Sequence, residues 1–284
     1  MLRRYIIEQP TSRLAIWARR MALFSLAATV LAIVIVRAGV LEIRPALATF
    51  TVALALAVIA LLLAFAAFTV IWKDGLDGMG SALTAILIGI GLLGYPAYLG
   101  VKAYKLPWIY DITTDPIDPP RYEALARIRP RDANPVIYAG LSAAEQQRNA
   151  YPDIETMEQD ATPKAAYEAA LAVMTKRKWA VLAKRAPEAR RDGQIEAVDR
   201  SLIMGFRDDI VVRIRADTDG SSRIDVRSSS RYGTFDFGSN AKRVRALIDD
   251  IDDAIGDQKP ERPAAPVAKK QKTQPKANQP TAKR

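Results

Sequence analysis

The chain has 284 residues, no cysteine and no histidine, with 41 Lys and Arg against 31 Asp and Glu for a formal net charge of +10. Imidazole bases, thiol nucleophiles and the usual zinc ligand sets are therefore excluded, which leaves Asp, Glu, Lys, Ser and Tyr for any catalysis and implies no metal or cofactor. The charge sits at the two ends: residues 1–104 carry +5 and residues 256–284 carry +6, so the stretch between them is near −1 and nucleic-acid binding there has little electrostatic support.

Three apolar runs fill the first hundred residues. Between Arg20 and Arg37 lie 16 uncharged residues, between Arg44 and Lys73 lie 28, and between Asp77 and Lys102 lie 24, against the roughly 20 that a helix needs to cross a bilayer. They predict a transmembrane anchor over 1–104, with spans near 18–38, 46–72 and 79–101. The first run is short, but Arg19, Arg20 and Arg37 have stems long enough to snorkel; the rival reading, a cleaved signal peptide, lacks a small-residue cleavage site directly after the run. Gly89, Gly91, Gly94, Pro96 and Gly100 in the third run point to a close helix contact through small residues.

Basic residues flanking the spans set orientation. Arg3, Arg4, Arg13, Arg19, Arg20 and Lys73 fall on one side, and Arg37, Arg44, Lys102 and Lys105 on the other. Six against four favours a cytoplasmic N-terminus. The rest of the chain would then lie in the periplasm of a bacterium, anchored in the inner membrane, and the lack of cysteine is compatible with that.

Residues 105–160 are rich in proline and turns and predict an arm wrapped on the following domain. Ser142 and Glu145 have capping-box spacing before a short helix over 146–150. From Asp160 the pattern becomes regular. Thr162 caps a helix that begins at Pro163, in which Tyr167, Ala170, Leu171 and Met174 share a face. Four strands follow near 179–185, 194–200, 209–216 and 222–230, with Asp192-Gly193 and Asp219-Gly220 as turn signals. In the third and fourth strands Ile210, Val212, Ile214, Ile224 and Val226 alternate with charged residues, which predicts one buried and one polar face. A closing helix carries Val244, Leu247, Ile248, Ile251 and Ile255 on one face, capped by Ser239 or Asn240.

The expected fold is α+β: a three-helix anchor followed by an α-β-β-β-β-α core over 161–255, with an antiparallel meander sheet and both helices on its apolar face. The tail over 256–284 has the composition of a disordered segment, whose lysines Lys269, Lys270, Lys272 and Lys276 can rest against anionic lipid.

Several segments in this order resemble a known family. They are Asp111-Ile112-Thr113-Thr114-Asp115-Pro116 with Asp118-Pro119-Pro120, Tyr151-Pro152-Asp153-Ile154, Ile195-Glu196-Ala197, Gly205-Phe206-Arg207-Asp208-Asp209, and Asp225-Val226-Arg227-Ser228-Ser229-Ser230-Arg231 with Gly238, Asn240 and Arg243. Together they are similar to the bacterial and plastid family of domain of unknown function 1499, from about Pro107 to Ile255. The resemblance implies a membrane-associated or exported domain and brings no established activity. Its members often have His or Asn where this chain has Tyr110.

Candidate site residues are therefore read from their chemistry. Glu196, Arg213, Arg215, Asp225, Arg227 and Arg231 fall on the polar sheet face, first as a cross-strand charge ladder and second as an anion-binding surface of forked guanidinium groups. Asp208 and Asp209, after Arg207, are a carboxylate pair whose neighbouring positions face opposite ways. Asp111, Asp115 and Asp118 fit turn-forming Asx bonds better than a calcium loop. Ser228, Ser229 and Ser230 with Arg231, Asp236 and Asn240 converge on the start of the last helix, where a serine nucleophile would have only Lys242 or an Asp as base. The apolar link Leu202-Ile203-Met204-Gly205-Phe206 is expected in the core, or else at the bilayer or a partner. These readings favour a non-catalytic domain that binds an anionic envelope component or a membrane protein; a carboxylate-dependent envelope enzyme and an anion or lipid carrier are the alternatives.

Overall fold

In the computed structural model, which describes residues 9–39 and 43–258, each apolar run is one continuous helix: α1 (Arg13–Arg37), α2 (Ile43–Asp74) and α3 (Met79–Ala103). All three are long and apolar enough to cross a membrane. Their shared seam is alanine. Ala18 and Ala22 of α1, Ala60 and Ala64 of α2 and Ala85 of α3 form one fully buried cluster, so the helix backbones approach closely without large side chains between them. The glycines contribute less than their number suggests: a methyl group on Gly89 would lie 3.1 Å from Leu61 Cδ1, whereas Gly91, Gly94 and Gly100 face open space. Across the seam the Ser25 hydroxyl donates to the Ala53 carbonyl at 2.7 Å.

Ser12 N–H donates to the Asp77 carbonyl and Asp77 N–H to that of Pro10, which ties the start of α1 to the start of α3. These two helices are therefore parallel, and Arg37 and Ala103 end on the same side of the bundle. Trp17 and Trp72 are exposed at one end. Tyr95, Tyr98, Tyr104 and Trp108 are exposed toward the other, the distribution of an interfacial aromatic belt.

Beyond the bundle the chain forms β1 (Asp111–Thr113), α4 (Ala124–Ile128), α5 (Leu141–Ala150), β2 (Met157–Gln159), α6 (Pro163–Lys176), β3 (Ala180–Arg185), β4 (Gly193–Arg200), β5 (Arg207–Ala216), β6 (Ser222–Ser230) and α7 (Ser239–Gln258). The sheet is antiparallel throughout, in the order β1-β6-β5-β4-β3, with β2 also on β6. The α+β meander is as expected. Two further strands come from the proline-rich arm: β1 pairs with Arg227–Ser229 and β2 with Ser222–Ile224. Both cover the outer edge of β6, whose backbone groups would otherwise invite edge-to-edge association.

The apolar face carries Ile195, Ala197, Ile210, Val212, Ile214, Ile224 and Val226 against Ala166, Ala170, Val173 and Met174 of α6 and Val244, Leu247, Ile251 and Ile255 of α7. Each fully buried aliphatic side chain there contributes roughly 1.5–3 kcal/mol.

Several local expectations are corrected. No capping box starts α5; it begins at Leu141 after Gly140, whose φ of 83° only glycine adopts without strain, and no side chain caps it. Neither Ser239 nor Asn240 caps α7. The Asp236 carboxylate does so, accepting from Gly238 N–H at 2.8 Å and Asn240 N–H at 2.7 Å. Helix α7 runs through Gln258, past the expected boundary at 256. The expected disordered tail with Lys269, Lys270, Lys272 and Lys276 lies outside the described residues beyond that point, as do Arg3 and Arg4.

Candidate functional site

Alternation along β5 and β6 places Asp209, Val211, Arg213 and Arg215, with Asp225, Arg227, Ser229 and Arg231, on the face away from the helices. That face is polar as expected, but it is not open to water. The arm crosses it. Tyr122 and Leu125 pack on Val198 and Val211, and Arg227, Arg231, Asp209 and Asp225 are all buried.

Beneath the arm, five guanidinium groups meet five carboxylates. Asp209 lies 2.7 Å from both Arg129 and Arg231. Asp111 takes a two-pronged bond from Arg227 at 3.0 and 2.7 Å. Arg213 and Arg215 share Asp115, Asp118 and Asp225. The remaining Arg227 donors go to the Pro120 and Val136 carbonyls, and its guanidinium lies 4.6 Å from the Tyr122 ring centre. Burial pushes the Asp111 carboxyl up against the pull of Arg227. Burial works to lower the Arg213 pKa, but Asp225 and Asp118 outweigh it and raise the value.

With charges matched and arm carbonyls accepting the spare donors of Arg129, Arg213 and Arg227, this face works as an interlock between arm and sheet, in which only Arg215 Nε is left buried without a partner among these guanidinium groups. An anion would have to displace an internal carboxylate, which is costly for paired buried charge. Glu196 has a related role. Its carboxylate accepts from the N–H groups of Glu123, Ala124 and Leu125 at 2.9, 3.1 and 2.8 Å, and so caps α4.

Asp208, Ser228, Ser230, Asp236 and Asn240 lie on the helix side of the sheet. Asp208 projects opposite to Asp209 and meets Arg243 at 2.6 Å; the same guanidinium reaches Asp199 at 3.0 Å. Ser228 donates to Asn240 Oδ1 at 2.8 Å, and Asn240 Nδ2 donates to Ser230 Oγ and to the Tyr110 carbonyl. Burial raises the Asp236 carboxyl, partly offset by the two N–H groups it caps. Asp236 and the serines are thus engaged in closing α7 onto the sheet end. Arg207 is exposed at the start of β5, directly opposite Arg200, with no carboxylate partner among the described residues.

Sequence reasoning missed Arg129, Asp111 and Asp118 as ion-pair partners. Nothing local marks them, because each meets a partner roughly eighty or more residues away. Asp115 does form the expected Asx turn, accepting from Ile117 and Asp118 N–H at 3.2 and 2.9 Å, and its second oxygen serves the arginines. No group of acidic side chains able to hold a metal occurs among the described residues.

One solvent-facing opening, of about 230 Å³, is lined by Glu123, Arg127, Lys184, Arg185, Gln194 and Glu196, and its carboxylates are already held by Arg185 and the first N–H groups of α4. A second cleft, of about 210 Å³, is lined by Trp108, Tyr110, Asp111, Ala143, Gln146 and Thr234, at the end of the domain nearest α3. Ile137 and Leu141, close in sequence to its wall, are 82% and 90% exposed, and Trp108 is 67% exposed while stacked on Phe235.

Residues 111–251 match the family described as a protein of unknown function, DUF1499. No curated protein matches the chain.

Proposed function

From a chain whose residues 111–251 form a DUF1499 domain, we propose a membrane-tethered, non-catalytic binding protein that holds a protein partner of the bacterial envelope in the cleft beside Trp108. The observation that carries this reading is the cleft wall of Trp108, Ile109, Ala139 and Ala143, with Trp108 largely exposed and the exposed Ile137 and Leu141 close in sequence to the lining residues Ala139 and Ser142. At about 210 Å³ the opening falls below the roughly 300–1,000 Å³ typical of small-ligand sites. It suits one apolar side chain of a partner, seated as an interface anchor. The flanking charges support a cytoplasmic N-terminus and a periplasmic domain on the inner membrane.

A carboxylate-dependent enzyme is the second reading, favoured by the raised Asp236 carboxyl. It is the weaker one, since both Asp236 oxygens already accept backbone N–H groups and the hydroxyls of Ser228, Ser229 and Ser230 bond to Asn240, Arg243 and Arg129 rather than to a base. A photo-cross-linking residue at Leu141 of the full-length protein in cells tests the proposal. An adduct of one defined mass is expected there, absent at the remote Asp219 and lost on adding Trp108→Ala. Equal labelling at both positions would rule out the cleft.

A further inference from the structure

The β4–β5 loop meets the membrane anchor. Arg37, the last residue of α1, donates to the backbone carbonyls of Ser201, Leu202 and Ile203, and a methyl group on Gly205 would lie 3.5 Å from Arg37 Cγ. Core burial of this apolar link holds only for Met204 at 7% exposure; Leu202 is 89% and Ile203 41% exposed. Because Arg37 ends a span, the loop lies at the depth where a helix leaves the hydrocarbon. Two large aliphatic side chains are thus exposed at a bilayer surface.

The strands leading into and out of the loop end on two arginines. Arg200 and Arg207 are directly opposed in the ladder, both exposed, and neither has a carboxylate partner among the described residues. Like charges facing across a strand pair are destabilising. They persist here without a paired carboxylate such as those beneath the arm, which leaves both guanidinium groups able to meet an anion from outside the domain.

We propose that the β4–β5 loop is a bilayer-docking element: Leu202 and Ile203 enter the headgroup region of the membrane that anchors the chain, and Arg200 with Arg207 straddles the phosphate of an anionic phospholipid. Exposed aliphatic residues flanked by cations are the composition of interfacial membrane contacts. The docked loop and the α3 connection would hold the domain at two points, fixing which face it turns to the membrane. This is independent of what the cleft beside Trp108 binds.

The chain has no cysteine, so Leu202→Cys introduces a single thiol for a fluorophore in the otherwise native full-length protein. In nanodiscs containing phosphatidylglycerol, lipids with brominated acyl chains should quench this label and leave a label at Thr218→Cys, in the far β5–β6 turn, unquenched. Arg200→Glu with Arg207→Glu, or replacement of phosphatidylglycerol by phosphatidylcholine, should reduce quenching at position 202. A label at 202 that aqueous iodide reaches as readily as the one at 218 would overturn the proposal for the wild-type arginines, whatever the folding of the charge variants. Lipid quenching unaffected by both charge reversal and lipid exchange would overturn the phosphate contact.

Discussion

Removing Arg227 isolates the interlock between arm and sheet. In Arg227→Met the Asp111 carboxyl, 1% exposed and bonded through its side chain to Arg227 alone among the described residues, loses its counter-charge, and the Pro120 and Val136 carbonyls each lose a donor. Breaking a buried pair on one side costs roughly 3–5 kcal/mol. Asp111 sets its own ceiling, because it can escape by taking a proton. From an ordinary value of 3.8, holding it neutral at neutral pH costs about 4 kcal/mol, at about 1.4 kcal/mol per pH unit. In the variant the folded carboxyl is raised above its unfolded value. The stability linked to that proton is complete below 3.8 and is lost as pH rises. The deficit should therefore be widest at neutral pH and shrink on acidification. Urea unfolding of the full chain in nanodiscs, followed by tryptophan fluorescence across that pH range, measures it. Asp111→Leu with Arg227→Met should regain most of the loss, since a well-packed apolar pair can replace a buried ionic one. A deficit under about 1 kcal/mol, or one flat with pH, would refute the view that the pair locks the arm.

Glu196→Gln keeps the shape but weakens the cap on α4, and should cost about 1–2 kcal/mol, seen as faster amide exchange at Glu123, Ala124 and Leu125. Gly238→Ala imposes a side chain at φ 73°, 3.2 Å from Leu106 Cδ1; a loss of about 1–3 kcal/mol in thermal unfolding is expected. Asp153, held below its ordinary value by the Arg245 hydrogen bond, contributes stability above 3.8 that disappears as pH falls through its folded value. Arg245→Ala should thus lower stability at neutral pH, by under about 1 kcal/mol for so exposed a pair, and by less in strong acid, where the contact of Arg245 with the Tyr151 ring is what remains to be lost.

Periodicity alone determined much of this protein. Runs of 28 and 24 uncharged residues are long enough to cross a bilayer whatever they pack against, and the run of 16 becomes so with the snorkelling stems of Arg19, Arg20 and Arg37 at its ends. The period of two in Ile210, Val212 and Ile214 and the helical spacing of Val244, Leu247 and Ile251 are local properties that persist in the folded chain. Thr162 caps α6, accepting from Ala165 N–H at 3.3 Å, because its partner lies three residues away.

Tertiary structure decided the state of the charges. Alternation shows that Arg213, Arg227 and Arg231 share a face with Asp209 and Asp225, but not that an arm a hundred residues upstream in sequence brings Asp111, Asp115, Asp118 and Arg129 over them. The same arginines make a ligand surface if that face is open and an internal lock if it is covered. Electrostatic pairing depends on distance through space, and β1 is placed over β6 by backbone pairing whose register no local pattern encodes. Leu202 shows the converse: its apolar character predicts burial, and only the contact of its loop with Arg37 sets it at the end of a helix long and apolar enough to cross a membrane.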